Sequence, residues 1–279
     1  LLETAKLQNS SADMVEVIRK IQSYGFIVVA GLIFGFDSDD ETCFDTTLAG
    51  LKKSALLSGD PSLLTALPGT PLYRRMKLSD RLRQVRFGLG GYKYQTNITY
   101  LLPTDVMIDG YKRFVTGFCD GAYQYGRLKD FFDLLSQGNF VPIDGQGFGN
   151  LWLFFRMILG NRAALWQMTQ RLARFLVRPS NLYYALKGLG LALSHLDIKG
   201  RFGYFQFWLF AWTNAVLKYQ NISASDFDID SVGAEFDIGR ILPNDYATTA
   251  DEDIPVQKIN AQLRATVSQL ESVVAERSA

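Results

Sequence analysis

The stretch from Gly25 to Asp45, GFIVVAGLIFGFDSDDETCFD, carries the strongest structural signal in the chain. Phe26 to Phe34 is an unbroken apolar run rich in β-branched residues. Such a run predicts a strand buried on both faces, as in a parallel α/β sheet. Ser38-Asp39-Asp40-Glu41 has the form of a capping box, so a helix is expected to open there. Phe44, Leu48, Leu51 and Ala55 would form its inner face. Upstream, Asp13 to Tyr24 places Met14, Val17, Ile18 and Ile21 on one helical face, and Gly25 ends that helix. Downstream, Ser58-Gly59-Asp60-Pro61 reads as a break, and Ser62 to Ala66 as a second short buried strand. Leu67-Pro68-Gly69-Thr70-Pro71 then turns sharply, with Thr70 as N-cap and Pro71 at the first helical position. Helix, strand, helix, strand, helix is the order of βα units.

The expected fold class is therefore α/β: the last units of a partial (β/α) barrel, over residues 1–78, followed by a mainly α-helical extension. Residues 79–140 read as a post-barrel helical segment, with amphipathic helices over Thr104 to Ala122 and Arg127 to Leu135. Residues 141–255 read as an aromatic-rich helical region, broken at Gly160, Pro179 and Gly200 and ending in an acidic, turn-rich loop. Residues 256–279 read as a C-terminal helix with an apolar stripe at Ile259, Leu263, Val267, Leu270 and Val274.

Composition narrows the class further. The 279 residues are 48% hydrophobic, enough for a sizeable core, and the formal net charge of +1 leaves no nucleic-acid footprint. Two cysteines, Cys43 and Cys119, form neither a disulfide framework nor a CxxC pair, which fits a reducing cytoplasm. Phe202 to Leu217 is uncharged but falls short of the roughly 20 apolar residues of a spanning helix. A buried or interfacial helix is expected there. Leu1 stands where an initiator Met is usual, so the chain reads as a fragment.

GFIVVAGLIFGFDSDDETCFD, followed by LLTALPGTPLYRRM at residues 63–76, resembles the fifth and sixth βα units of radical S-adenosylmethionine (SAM) proteins that carry a cobalamin-binding domain. Gly31-Leu32-Ile33-Phe34-Gly35 matches the GxIxG strand of that superfamily, and residues 1–25 resemble the segment before it. Residues 77–140 resemble, more weakly, the domain after the barrel in hopanoid methylase-like members; residues 141–279 match nothing. The resemblance implies that Gly31, Ile33 and Gly35 border SAM, with Ile33 against adenine. It also implies that Leu67, Pro68 and Gly69 lie near the cofactor and substrate mouth. A physical case stands beside it: glycines at a strand's carboxyl end let backbone approach a ligand, and that edge is where α/β ligands bind.

The resemblance further implies a [4Fe-4S] cluster on a CxxxCxxC loop, with thiolate ligands. Cys43 and Cys119 cannot form that loop, so the ligands are expected upstream of Leu1 and the fragment alone is expected to be inactive. It implies that the cluster reduces SAM, that the resulting radical takes hydrogen from an unactivated carbon, and that cobalamin, bound upstream, supplies a methyl group. The expected substrate is a small, apolar, lipid-like molecule. The expected partners are the cluster- and cobalamin-binding domains of the same parent, without nucleic acid and with peripheral membrane contact left open. Two alternatives stand: a radical SAM cyclase or methylthiotransferase, and a non-catalytic helical membrane-surface or interaction module.

Weaker motifs are set aside. His195 is the sole histidine and reads as structural. Asp226, Asp228 and Asp230 mimic an EF-hand start, but Ser231 replaces the required glycine, so a solvated acidic loop is expected. Gly188-Leu189-Gly190 lacks the third glycine of a dinucleotide fingerprint. The basic run Arg74, Arg75, Lys77, Arg81, Arg83 and Arg86 is expected to be a solvated surface. The aromatic region is expected to be core, with a membrane-resting face as the alternative.

Overall fold

The computed structural model describes residues 13–83, 94–138, 140, 162–219 and 221–232. Its first helix, α1 (Met14–Ser23), starts where Asp13 accepts a hydrogen bond from the Val15 N–H at 2.9 Å. The strand β1 (Val29–Phe34), the helix α2 (Cys43–Lys53) and the strand β2 (Ser58–Leu63) follow as one βαβ unit. β1 and β2 are parallel neighbours, paired from Val29 with Ser58 to Phe34 with Leu63. The third helix, α3 (Pro71–Leu78), has Thr70 as N-cap, whose hydroxyl accepts from the Tyr73 N–H at 3.2 Å, and Pro71 in its first turn.

Several local expectations give way to tertiary context. The apolar run is not buried on both faces. Ala30, Leu32 and Phe34 pack into the core while Val29, Gly31 and Ile33 are exposed. The reason is layering: helices cover one side of β1 only, and nothing covers the other among the described residues. Ser58 to Pro61 is strand instead of break; Pro61 is tolerated because β2 has a hydrogen-bonded neighbour on one side only. The capping box does not cap. Thr42 holds the N-cap position without a side-chain bond, and Asp40 accepts from the Thr42 N–H and hydroxyl at 2.8 and 2.6 Å.

The strand β3 (Tyr94–Tyr100) has no counterpart in the sequence reading. It is followed by α4 (Thr104–Cys119) and α5 (Gly121–Gln137), which divide at Asp120, where the carboxylate caps α5 through the Tyr123 N–H. Both helices thus differ in extent from their sequence expectation. Three more follow: α6 (Arg162–Leu176), α7 (Pro179–Ser194) and α8 (Arg201–Tyr219). A last strand, β4 (Phe227–Ser231), pairs in parallel with β3. The expected acidic loop is therefore partly strand. Arg83 gathers its carboxylates, Asp228 at 3.0 Å and Asp230 at 2.8 Å, so like charges along one strand face are neutralised. The expected C-terminal helix over 256–279 lies outside the described residues.

Two apolar cores adjoin. The first forms around the βαβ unit, where the Phe34 ring stacks on Phe44 with centroids 4.7 Å apart and meets Phe114 edge-on at 4.9 Å. Gly110 on α4 permits this approach, since a Cβ there would lie 2.4 Å from the Phe44 ring. The second core holds Phe131, Phe132, Phe175, Trp208 and Trp212. Much of the aromatic region is thus core, as expected, and the Phe202 to Leu217 stretch is the buried helix α8, with Trp208 and Trp212 inside. Among the described residues no helix is long and apolar enough to cross a membrane.

Candidate functional site

The parallel pairing of β1 and β2 sets their carboxyl ends side by side. Pairing continues one step past the strands, because the Leu64 N–H donates to the Phe34 carbonyl at 2.8 Å. The two segments singled out in the sequence, Gly31 to Gly35 and Leu67 to Gly69, thereby leave the sheet from one edge.

Each singled-out residue has a definite environment. A Cβ on Gly31 would meet nothing within 4 Å, and the same holds for Gly69, whose φ of +81° a side-chain-bearing residue rarely adopts. Ile33 is 47% exposed and Leu67 is 61% exposed. Pro68 is exposed beside it. Gly35 differs: its φ is +107°, and a Cβ there would fall 2.5 Å from the Tyr100 ring. Gly31 and Ile33 thus belong to an open surface, while Gly35 is a turn residue pressed against β3. Covering the half of Ile33 that is still exposed is worth about 0.7–1.5 kcal/mol, so this surface favours a flat apolar partner.

The loops behind this surface are held by polar groups that the sequence reading passed over. Asp39 folds back so that its Oδ2 accepts from the Gly35 and Phe36 N–H groups at 2.8 and 3.0 Å, a turn closed by a carboxylate on two amides. Asp37 pairs with Arg81 at 2.7 Å and lies 3.5 Å from Arg75. Arg81 is buried, and its Nε donates to the Thr99 carbonyl at 2.9 Å. The basic run is therefore a solvated surface only in part: Lys77 is exposed, whereas Arg75, Arg81 and Arg83 each answer a carboxylate. Arg86 lies outside the described residues.

The exit of β2 is fixed from β3. The Asn97 carboxamide accepts from the Ala66 N–H at 2.8 Å and donates to the Ala66 carbonyl at 2.7 Å, as a neighbouring strand would. The Leu64 carbonyl accepts from the Thr96 and Tyr100 hydroxyls, both at 2.6 Å. Thr96, Asn97 and Tyr100 are all buried. The signal for them was present in YQTNITY, residues 94–100, a β-prone segment carrying short polar side chains.

Neither cysteine is an activated thiol. Burial, with Asp39 and Asp40 adding to it, pushes Cys43 up to about 12, and burial does the same to Cys119. Both pack against the core as small, partly buried apolar groups. Among the described residues no cluster of three or more His, Cys, Asp or Glu could hold a metal ion. His195 caps the end of α7, its Nδ1 3.0 Å from the Leu191 carbonyl and its ring 5.1 Å from that of Phe132, a structural place. Gly188 lies in the middle of α7 against Trp208, a packing role.

No protein-family model matches the chain, and no solved structure matches it. Two curated proteins do, in part. The hopanoid C-2 methylase of Rhodopseudomonas palustris is 31% identical over 107 residues, 38% of this chain and 19% of that protein. A protein named as an uncharacterized methyltransferase of Synechocystis is 29% identical over 125 residues, 45% of this chain and 23% of that protein. The matched length is thus about a fifth of either relative. Over part of its length, this α/β chain is similar to a hopanoid C-2 methylase and to a second methyltransferase, and so resembles a fragment of a hopanoid methylase-like protein.

Proposed function

We propose that the chain is part of a radical SAM methyltransferase, and that β1 and β2 with their exits form one side of a partial (β/α) barrel mouth that holds SAM. Methylase-named relatives support the transferase class. The observation that carries the site is the asymmetry of β1. Ala30, Leu32 and Phe34 are packed under helices, whereas Gly31 and Ile33 present an open apolar surface at the carboxyl edge. That is the composition a nucleoside base requires: a flat apolar contact, backbone polar groups and no intervening side chain.

The residues present fit SAM and do not fit the iron–sulfur cluster. Gly31 leaves room for a ligand to reach the backbone, Ile33 would bear the adenine, and Leu67-Pro68-Gly69 would border the substrate side. Cys43 and Cys119, the two cysteines of the sequence, stand 76 residues apart and do not make a CxxxCxxC loop. The [4Fe-4S] ligands and the cobalamin site would belong to parts of a parent protein outside this sequence. When bound, SAM, the cluster and cobalamin would supply the radical and methyl-transfer chemistry.

This chain's work would then be binding and exclusion of water. Asp39 holds the Gly35–Phe36 turn, and Asn97 holds Ala66 and with it the start of the Leu67–Gly69 turn. The substrate class we favour is apolar and lipid-like. The test is anaerobic turnover by the parent protein with reductant and SAM. Formation of 5′-deoxyadenosine, and of a methylated product with a polycyclic or isoprenoid lipid, is the expected result. Absence of SAM cleavage would refute the radical reading, and cleavage without methylation of any apolar acceptor would refute the substrate class.

A further inference from the structure

Helix α7 buries Asn181, Ala185, Gly188 and Ala192 against the second core. Its other side is apolar too. Leu182, Leu186, Leu193 and the following Leu196 are between 42% and 73% exposed, and the first three recur at helical spacing on one face. On α6, which precedes it, Trp166 and Val177 at its end are also exposed. No described residue covers these side chains.

Charge on this part of the chain is one-sided. The whole sequence is nearly balanced, with 29 Lys and Arg against 28 Asp and Glu. Residues 162–219 nevertheless contain eight Lys and Arg and a single acidic residue, Asp197. Arg174, Arg178, Lys187 and Lys199 are all exposed. Lys187, exposed on the same helix, projects to one side of the leucine face, its amine 4.8 Å from the Tyr125 ring centroid and 5.3 Å from that of Tyr183. A cation lying over tyrosine rings in this way suits the depth of lipid head groups, with its stem along aromatic surface and its charge at the phosphates.

We infer that the exposed face of α7, with the end of α6, docks on a bilayer bearing anionic head groups. Uncovered leucines supply apolar insertion, and the excess of basic over acidic residues in this segment selects the negative membrane. Few carboxylates stand near for a partner of mixed charge to pair with: Asp197, and Asp133 of α5, which lies 4.0 Å from the His195 ring. The inference goes beyond the proposed chemistry and stands without it; if both hold, the membrane is where an apolar substrate is met.

The test is co-sedimentation of the full 279-residue chain with phosphatidylcholine vesicles and with vesicles containing an equal part of phosphatidylglycerol. Partitioning onto the anionic vesicles should be at least about tenfold stronger, since each engaged basic residue contributes, and raised salt should weaken it. Leu186→Asp with Leu193→Asp should abolish binding, while the circular dichroism spectrum and melting temperature stay unchanged. Lys187→Glu with Lys199→Glu, a second pair on the same surface, should weaken binding several-fold and leave phosphatidylcholine binding unaltered. Equal or absent binding to both vesicles would overturn the proposal, as would retention of binding by the folded leucine variant. A concentration-dependent dimer broken by the leucine variant, without vesicle binding, would overturn it in favour of a second copy of the chain.

Discussion

Asn97→Ala is the sharpest probe of how the site is held. The side chain is buried and its carboxamide satisfies both backbone groups of Ala66, which is itself buried completely. Truncation strands one N–H and one carbonyl where water does not reach, at about 1–3 kcal/mol each. The expected loss is about 2–6 kcal/mol. Tyr100→Phe gives the contrast, because the Leu64 carbonyl keeps the Thr96 hydroxyl at 2.6 Å and should lose only about 0.5–1.5 kcal/mol. Asn97→Asp separates donor from acceptor. It keeps the oxygen facing the Ala66 N–H but sets a carboxylate against the Ala66 carbonyl, so it should be destabilised at neutral pH and partly recover in acid. Urea unfolding followed by tryptophan fluorescence and circular dichroism reads all three. A loss below about 1 kcal/mol for Asn97→Ala, or an equal loss for Tyr100→Phe, would refute the reasoning.

Two further outcomes concern buried groups away from the site. Arg127 is buried with Nε, Nη1 and Nη2 unpaired among the described residues, facing the Phe118 and Tyr123 rings at 5.1 and 5.5 Å. Burial lowers it to about 10, so the folded state carries a penalty for the charge that is relieved only as pH rises from 10 toward 12.5. Arg127→Met should therefore leave the urea midpoint unchanged or raise it, and a clear loss would show that the aromatic contacts outweigh desolvation. Cys43 and Cys119 titrate near 12 when folded against 9 ordinarily, so their contribution to stability is complete below pH 9 and disappears as pH rises toward 12. Replacing both by Ala should flatten that alkaline loss, and in the native chain iodoacetamide at pH 8 should label both much more slowly than after urea is added. Rapid labelling of the folded chain would contradict the burial argument.

What was legible in the sequence was what local chemistry dictates. Thr70 and Pro71 start α3 as read, because an N-cap hydroxyl and a fixed proline φ need no distant partner. The succession of strand, helix and strand was legible, but β2 starts at Ser58, ahead of the Ser62 to Ala66 run that announced it. The capping box failed because Asp39 finds two better donors in Gly35 and Phe36, a turn that only the folded strand creates. β4 was hidden by Asp228 and Asp230, which read as solvated until Arg83, far away in sequence, is seen between them. The glycines of the GxIxG pattern were recognisable as a group, but their roles were not. Whether Gly31 opens a surface and Gly35 serves a turn depends on what lies opposite, open space in one case and the Tyr100 ring in the other.

Gly31 offers the most direct measurement of the central claim. A side chain there meets nothing within 4 Å, so Gly31→Val should leave the chain as stable as before or slightly more so, as a β-branched residue in a strand. In the reconstituted parent protein the same valine would occupy the space assigned to the nucleoside. Equilibrium binding of SAM should weaken at least about tenfold, the effect of roughly 1.4 kcal/mol. A variant that folds normally and binds SAM with undiminished affinity would contradict the account.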